Sequence, residues 1–268
     1  MMNIRIPHIP APVTALIDHA EEDCRAAFAR VDAIERENTH RVICAFQEYR
    51  VGARHFAPTT GYGYDDIGRD TLSKLFAFVF GTEDALVRPQ IASGTHALAL
   101  CLYGILRPGD EMLAAAGKPY DTLEEVIGIA GEAGNGSLRD LGVGYRQVDL
   151  LPDGSIDLKS VLAQLAPQVK LVLIQRSRGY DWRPSLSVAQ IDGVIDAVHR
   201  ARPDVCVMVD NCYGEFTAAS EPRADLLAGS LIKNPGGGLA PTGGYVAGKR
   251  ALVEKVAYRL TLSLIHIW

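Results

Sequence analysis

The chain has 268 residues, 27 Lys and Arg against 32 Asp and Glu, and a formal net charge of -5. With 48% hydrophobic and 22% charged residues it is composed like a protein that buries a sizeable core. An acidic balance without a Lys/Arg cluster excludes a nucleic-acid binder working through a basic stripe.

Residues 1–13 carry Pro7, Pro10 and Pro12 and are expected to form an extended arm. Leu16, Ile17, Ala20, Ala27, Phe28, Val31 and Ile34 recur at helical spacing, which predicts a helix over 14–48. The Gly- and Tyr-rich stretch 56–66 is too polar for core and is a candidate functional loop, with Tyr62 and Tyr64 its aromatic residues. From residue 69 the pattern alternates. Helices are expected at 69–80, 95–106, 121–131, 157–166 and 187–202. Strands are expected at 85–91, 111–116, 144–150, 170–175 and 205–210, with a strand-like segment at 229–232. The apolar run 170–175 has the composition of a strand buried on both faces. This alternation predicts an α/β fold: a mostly parallel sheet with helices on both faces. The expected division is a helical arm at 1–55, one large domain at 56–262 and a separate tail at 263–268.

Cys24, Cys44, Cys101, Cys206 and Cys212 are scattered, with no Cys-x-x-Cys, so a disulfide framework is not expected. No secretory signal pattern or membrane-length apolar run is present, and a cytoplasmic location is expected. No metal site is expected, because the seven histidines do not cluster at ligand spacing.

Four pieces carry chemistry. Ser93, Gly94 and Thr95 stand between a strand and a helix, where free N–H groups and the helix dipole favour a phosphate. Taken alone, such a turn is an ordinary N-cap. Asp210 ends an apolar strand and suits the protonated nitrogen of a pyridine ring, although a strand-end aspartate also caps turns or meets a ribose or a metal. Lys233 follows an apolar approach and precedes three glycines, a setting in which an amine is partly desolvated for imine formation. Tyr120, after the strand at 111–116, can stack on a flat ring or serve as a core tyrosine. In this order the pieces are what a pyridoxal 5'-phosphate site needs.

With Thr60–Asp70, Ser93–Ala97, Gly117–Thr122, Ser177–Tyr180, Val209–Phe216 and Ser230–Gly238 in that order, the chain resembles fold-type-I pyridoxal-phosphate enzymes. More closely, it is similar to the methionine gamma-lyase family proteins also known as aluminium resistance proteins. The resemblance implies that Lys233 forms the imine with the cofactor, Asp210 holds the pyridine nitrogen and Tyr120 stacks on the ring. It also implies that Ser93, Gly94, Thr95 and Ser230 hold the phosphate. The loop with Tyr62 and Tyr64 would then reach a partner subunit's phosphate in a homodimer or homotetramer.

The expected activity is carbon–sulfur elimination on a sulfur amino acid, giving 2-oxo acid, ammonia and thiol. The alternatives are cystathionine or cysteine β-elimination, transamination, or a truncated chain that holds the cofactor without turnover. The resemblance also implies a C-terminal small domain carrying an arginine for the substrate carboxylate. The chain ends 35 residues after Lys233, and Ser263–Trp268 do not continue the family pattern, so the large domain is expected without that small domain.

Overall fold

The computed structural model describes residues 9–59 and 66–261. Tyr62, Tyr64 and the tail 263–268 lie outside the described residues.

Among the described residues, seven strands form one sheet: β1 (Asp84–Arg88), β2 (Glu111–Ala114), β3 (Gly144–Gln147), β4 (Val169–Gln175), β5 (Cys206–Asp210), β6 (Leu226–Ser230) and β7 (Gly244–Gly248). Their spatial order is β1-β7-β6-β5-β4-β2-β3. Strands β3, β2, β4, β5 and β6 pair in parallel, while β7 runs antiparallel to both β6 and β1. The expected parallel α/β sheet is present, and the alternating pattern anticipated neither β7 nor the closing helix at Arg250–Thr261. Gly244–Gly248 is a short apolar run between glycines, without the periodicity that marks a strand.

Seven α-helices of the described residues accompany the sheet: α1 (Ala11–Glu48), α2 (Ile67–Phe80), α3 (Gly94–Ile105), α4 (Asp121–Ile127), α5 (Leu158–Ala163), α6 (Val188–Ala201) and α7 (Arg250–Thr261). Local chemistry sets their ends. Asp66 accepts the Arg69 N–H at the start of α2, and Gly81 closes it in the left-handed region at φ 67°. Ser187 and Gln190 form a reciprocal capping box on α6. Helix α4 stops at Ile127, short of the expected 131, because Gly128 turns left-handed at φ 90°. The strand expected at 85–91 ends at Arg88 because Pro89 opens the turn into α3.

Strand parity sorts the core. Val207, Val209 and Leu227 pack with α2, α5 and α6 on one face, whereas Met208, Leu171, Leu173 and Leu226 pack with α3, α4 and α7 on the other. Helix α1 contributes little to either face. Its buried residues are Asn38 and Ala45, and the predicted apolar stripe is left exposed at Leu16 (68%), Phe28 (53%) and Val31 (62%). The periodicity predicted the helix correctly, but nothing among the described residues covers that stripe. None of the described helices is long and apolar enough to cross a membrane.

One close approach tests the packing. A Cβ at Gly229, in the middle of β6, would lie 2.5 Å from Glu215 Oε1 and 2.6 Å from the Tyr245 hydroxyl, both buried. Gly229→Ala should therefore destabilise the fold by about 1–3 kcal/mol, measured by urea unfolding. An unchanged unfolding midpoint would show that this packing is looser than described.

Candidate active site

All of the parallel strands end on one edge of the sheet, and β1, antiparallel to β7, ends there as well. The order reverses between β2 and β4, the position at which open α/β sheets leave a crevice for ligands. Tyr120 follows β2, Gln175 ends β4, Asp210 ends β5 and Ser230 ends β6. Gln175, Asp210 and Ser230 share the parity of Leu173, Met208 and Ala228, so they face the side that α3 covers.

Ser93 is the N-cap of α3, and its hydroxyl accepts the His96 N–H at 3.1 Å. The helix starts at Gly94, one residue earlier than the alternation suggested. Gly94 is buried where a Cβ would meet Cys212 Sγ at 3.1 Å and Ser230 Cβ at 3.2 Å. The absence of a side chain thus lets the α3 N-terminus close onto the ends of β5 and β6. Thr95 bonds Thr122 through their hydroxyls at 2.7 Å, linking α3 to α4. His96 Nδ1 accepts the Ala92 N–H at 3.1 Å and so belongs to the turn.

The Asp210 carboxylate accepts the Cys212 N–H at 3.1 Å. Burial pushes its carboxyl above the ordinary range, while the Cys212 N–H, the Cys212 thiol and the positive charge of Lys233 pull it back. The lysine therefore stands close enough for its charge to act on Asp210. The strand expected at 229–232 is in fact β6, which stops at Ser230, so Lys233 lies three residues beyond it. It leads into a short 3-10 turn over Asn234–Gly236, and its Nζ sits 4.0 Å from the centre of the Tyr213 ring.

Tyr120 caps α4, and its ring lies 5.7 Å from that of Tyr180. A hydrogen bond with the Tyr180 hydroxyl, more than burial, pushes the Tyr120 phenol up to about 12. Tyr120, Gln175, Arg178 and Tyr180 line a cavity of about 420 Å³. Gln175 is buried, and its Oε1 has no hydrogen-bond partner among the described residues.

The arrangement fits a phosphorylated pyridine aldehyde. A buried carboxylate suits a protonated ring nitrogen, the α3 N-terminus beside Ser230 suits a phosphate, and an amine stands three residues beyond β6. The unpartnered Gln175 oxygen can take one more donor. The sequence motifs thus come together at one edge, except for Tyr62 and Tyr64, which lie outside the described residues.

The motifs did not reveal the reverse face beneath this edge. Arg176 Nη1 donates to Glu221 Oε2 and Asn211 Oδ1, both at 2.8 Å, and Arg176 Nη2 reaches Thr217 Oγ1 at 3.2 Å. Glu221 also accepts from Asn211 Nδ2 at 2.9 Å and from the Phe216 N–H at 2.9 Å. The Tyr245 hydroxyl donates to Glu215 Oε1 at 2.7 Å, while Glu215 Oε2 is buried without a partner among the described residues. The one available signal was an unusual density of charged and amide side chains, Asn211, Glu215 and Glu221, just after a buried strand.

Burial pushes the Glu215 carboxyl from 4.5 to about 7, against the pull of the Tyr245 hydrogen bond. The folded chain keeps a proton that the unfolded chain releases. This group's stabilisation is therefore complete below pH 4.5 and is lost as pH rises from 4.5 towards 7, on the order of 3 kcal/mol. Urea unfolding across that window should show the wild type losing stability relative to Glu215→Gln as pH rises. Parallel curves would mean that Glu215 does not titrate there.

The profile of the methionine gamma-lyase family matches residues 13–266. The uncharacterized protein YnbB of Bacillus subtilis is 51% identical over 244 residues, which is 90% of this chain and 58% of YnbB. A solved structure of a candidate cystathionine beta-lyase involved in aluminum resistance from Listeria monocytogenes superposes with a TM-score of 0.91. It is 52% identical, over 94% of this chain and 63% of its own. A carbon-sulfur lyase involved in aluminum resistance from Clostridium novyi gives 0.92 and 47%, over 97% of this chain and 62% of its own. The chain thus spans about three fifths of the length of these relatives. The sheet order and these superpositions are those of the large domain of a fold-type-I pyridoxal-phosphate enzyme, and the chain belongs to the methionine gamma-lyase family.

Proposed function

We propose that this chain is the cofactor-binding large domain of a pyridoxal-phosphate-dependent carbon–sulfur lyase acting on a sulfur amino acid. The observation that carries this is the placement of Asp210, Ser230 and the α3 N-terminus on one face of the sheet, with Lys233 immediately beyond. When bound, the cofactor supplies an aldehyde for an amine and a ring that withdraws electrons from the substrate α-carbon.

The chain's own residues supply the rest. The Lys233 amine, three residues beyond β6, would be the attachment point and, once free, the base for the α-proton. Asp210 keeps the ring nitrogen protonated, and its burial strengthens that pairing. The N–H groups of Gly94 and Thr95, with the hydroxyls of Ser93, Thr95 and Ser230, hold the phosphate at the helix N-terminus. Tyr120 covers the ring. Tyr62 and Tyr64 complete the phosphate site of a partner subunit in a homodimer or homotetramer. On this reading residues 1–55 are a helical arm and 56–262 the domain that holds the cofactor.

γ-Elimination of methanethiol from methionine is the primary reaction on this reading, consistent with the family profile. A second is β-elimination from cystathionine, because the Listeria structure at 52% identity carries that assignment. The test is incubation of the purified chain and cofactor with methionine, cystathionine and cysteine. From methionine, 2-oxobutyrate and methanethiol are expected; pyruvate from cystathionine would mark the β-reaction. Lys233→Ala should reduce either to background. No 2-oxo acid from any of the three substrates would contradict the lyase reading.

A further inference from the structure

Between Asp210 and Lys233 the chain passes through a loop that the proposed chemistry does not use, and one residue of it faces the lysine. Lys233 Nζ lies 4.0 Å from the centre of the Tyr213 ring, within the range at which an ammonium is attracted to the face of a phenol. Tyr213 is 59% exposed, so this contact is not a consequence of core packing. Its backbone is at φ 65°, in the left-handed region that a bulky side chain rarely adopts, and Phe216 follows at φ 62°. Such outliers persist only where the surroundings over-determine them.

Here the surroundings do so from both ends. The Gly214 N–H bonds Asn211 O at 2.8 Å and the Phe216 N–H bonds Glu221 at 2.9 Å, which fixes the turn from below. Asn234, the residue after the lysine, donates its side-chain N–H groups to Tyr213 O at 3.3 Å and to Glu215 O at 2.9 Å. The loop bearing the aromatic ring and the segment bearing the amine are thus bolted to each other. A ring aimed at the amine is the outcome of that bolting.

We propose that Tyr213 is a positioning residue: the face of its ring holds the Lys233 amine beside the reacting centre whenever that amine is not covalently engaged. The proposal rests on the cofactor reading above. In turnover the lysine must be released when the substrate amine takes its place, and must then remain within reach of the α-proton. A flexible four-carbon side chain left to solvent would sample many rotamers. The ring narrows them by an attraction that leaves the nitrogen accessible from its other side. Because the force is electrostatic and resides in the ring, the hydroxyl is not required.

Acylation of the cofactor-free chain by limiting acetic anhydride, followed by peptide mapping, tests this directly. Lys159, exposed and remote, is the internal reference. Tyr213→Leu keeps the same left-handed backbone but removes the ring. It should raise Lys233 labelling relative to Lys159 by roughly two- to fivefold, the factor an exposed cation–π contact carries. Tyr213→Phe should label like the wild type. Equal labelling in wild type and Tyr213→Leu, or labelling of Tyr213→Phe as fast as Tyr213→Leu, would overturn the proposal.

A measurement on the unmutated chain guards against a misfolded variant. With lysine carrying 13C at the ε-carbon, the ε-methylene signal that disappears in Lys233→Arg should stand upfield of the other lysines, shifted by the ring. A signal at the position of a solvated lysine would overturn the proposal without any change at Tyr213. The cofactor reading is checked separately by mixing the wild type with pyridoxal 5'-phosphate and recording visible absorbance. No absorbing adduct would overturn that reading, and the proposal with it. An adduct together with unchanged acylation in Tyr213→Leu would overturn the Tyr213 proposal alone.

Discussion

Arg176 and Glu221 form an ion pair at 2.8 Å whose side chains are 4% and 0% exposed, and the geometry of the sheet edge depends on it. Removing two charges from water is costly, and their mutual attraction repays that cost only when the remaining donors and acceptors are also satisfied. They are satisfied here by Asn211, Thr217 and the Phe216 N–H, all of which lie on the segment between β5 and β6. A pair of this kind does not lend its energy to any contour of the loop. It stabilises one arrangement, because any other leaves a buried charge without its partner. The loop that starts at Asp210 is therefore placed by the reverse face of the sheet.

This division of labour follows from the pleat. Odd and even positions of β4, β5 and β6 point to opposite faces, so Gln175, Asp210 and Ser230 reach the side of α3, while Arg176, Asn211 and Gly229 reach the other. One face carries the groups suited to a ligand and the other carries the fasteners. Glycine serves both faces by its lack of a side chain. Gly94 lets α3 descend on Cys212 and Ser230, and Gly229 leaves room for Glu215 and Tyr245. Buried carboxyls stand on both sides, Asp210 above and Glu215 below. Burial raises both; the charge of Asp210 raises Glu215 further and that of Lys233 pulls Asp210 back, in the sense expected of charges in a poorly hydrated interior.

Much of this was legible in the chain. The alternation of apolar runs with amphipathic stretches marked the parallel strands; Asp210 ends β5, while Ser93 and Lys233 stand a few residues past β1 and β6. Such features are local: a cap, a strand end or a glycine turn is written within a few residues. The fasteners are not local. Arg176 meets Glu221 across 45 positions and Tyr245 meets Glu215 across 30, and no spacing rule joins such partners. Strand β7 was missed for a related reason, since the three residues between Gly244 and Gly248 acquire their meaning only from β1 and β6 on either side. The stripe on α1 shows the opposite case, where the period is plain in the sequence and nothing among the described residues packs against its first half.

The account turns on one covalent assignment, and reduction with borohydride tests it most directly. After incubation with pyridoxal 5'-phosphate and reduction, peptide mapping should find the phosphopyridoxyl group on the peptide bearing Lys233, with the adduct absent in Lys233→Ala. Asp210→Ala should still permit some attachment, since it removes the partner of the ring and not the amine. Modification spread over Lys118, Lys159 and Lys249, with none at Lys233, would contradict the account at its centre.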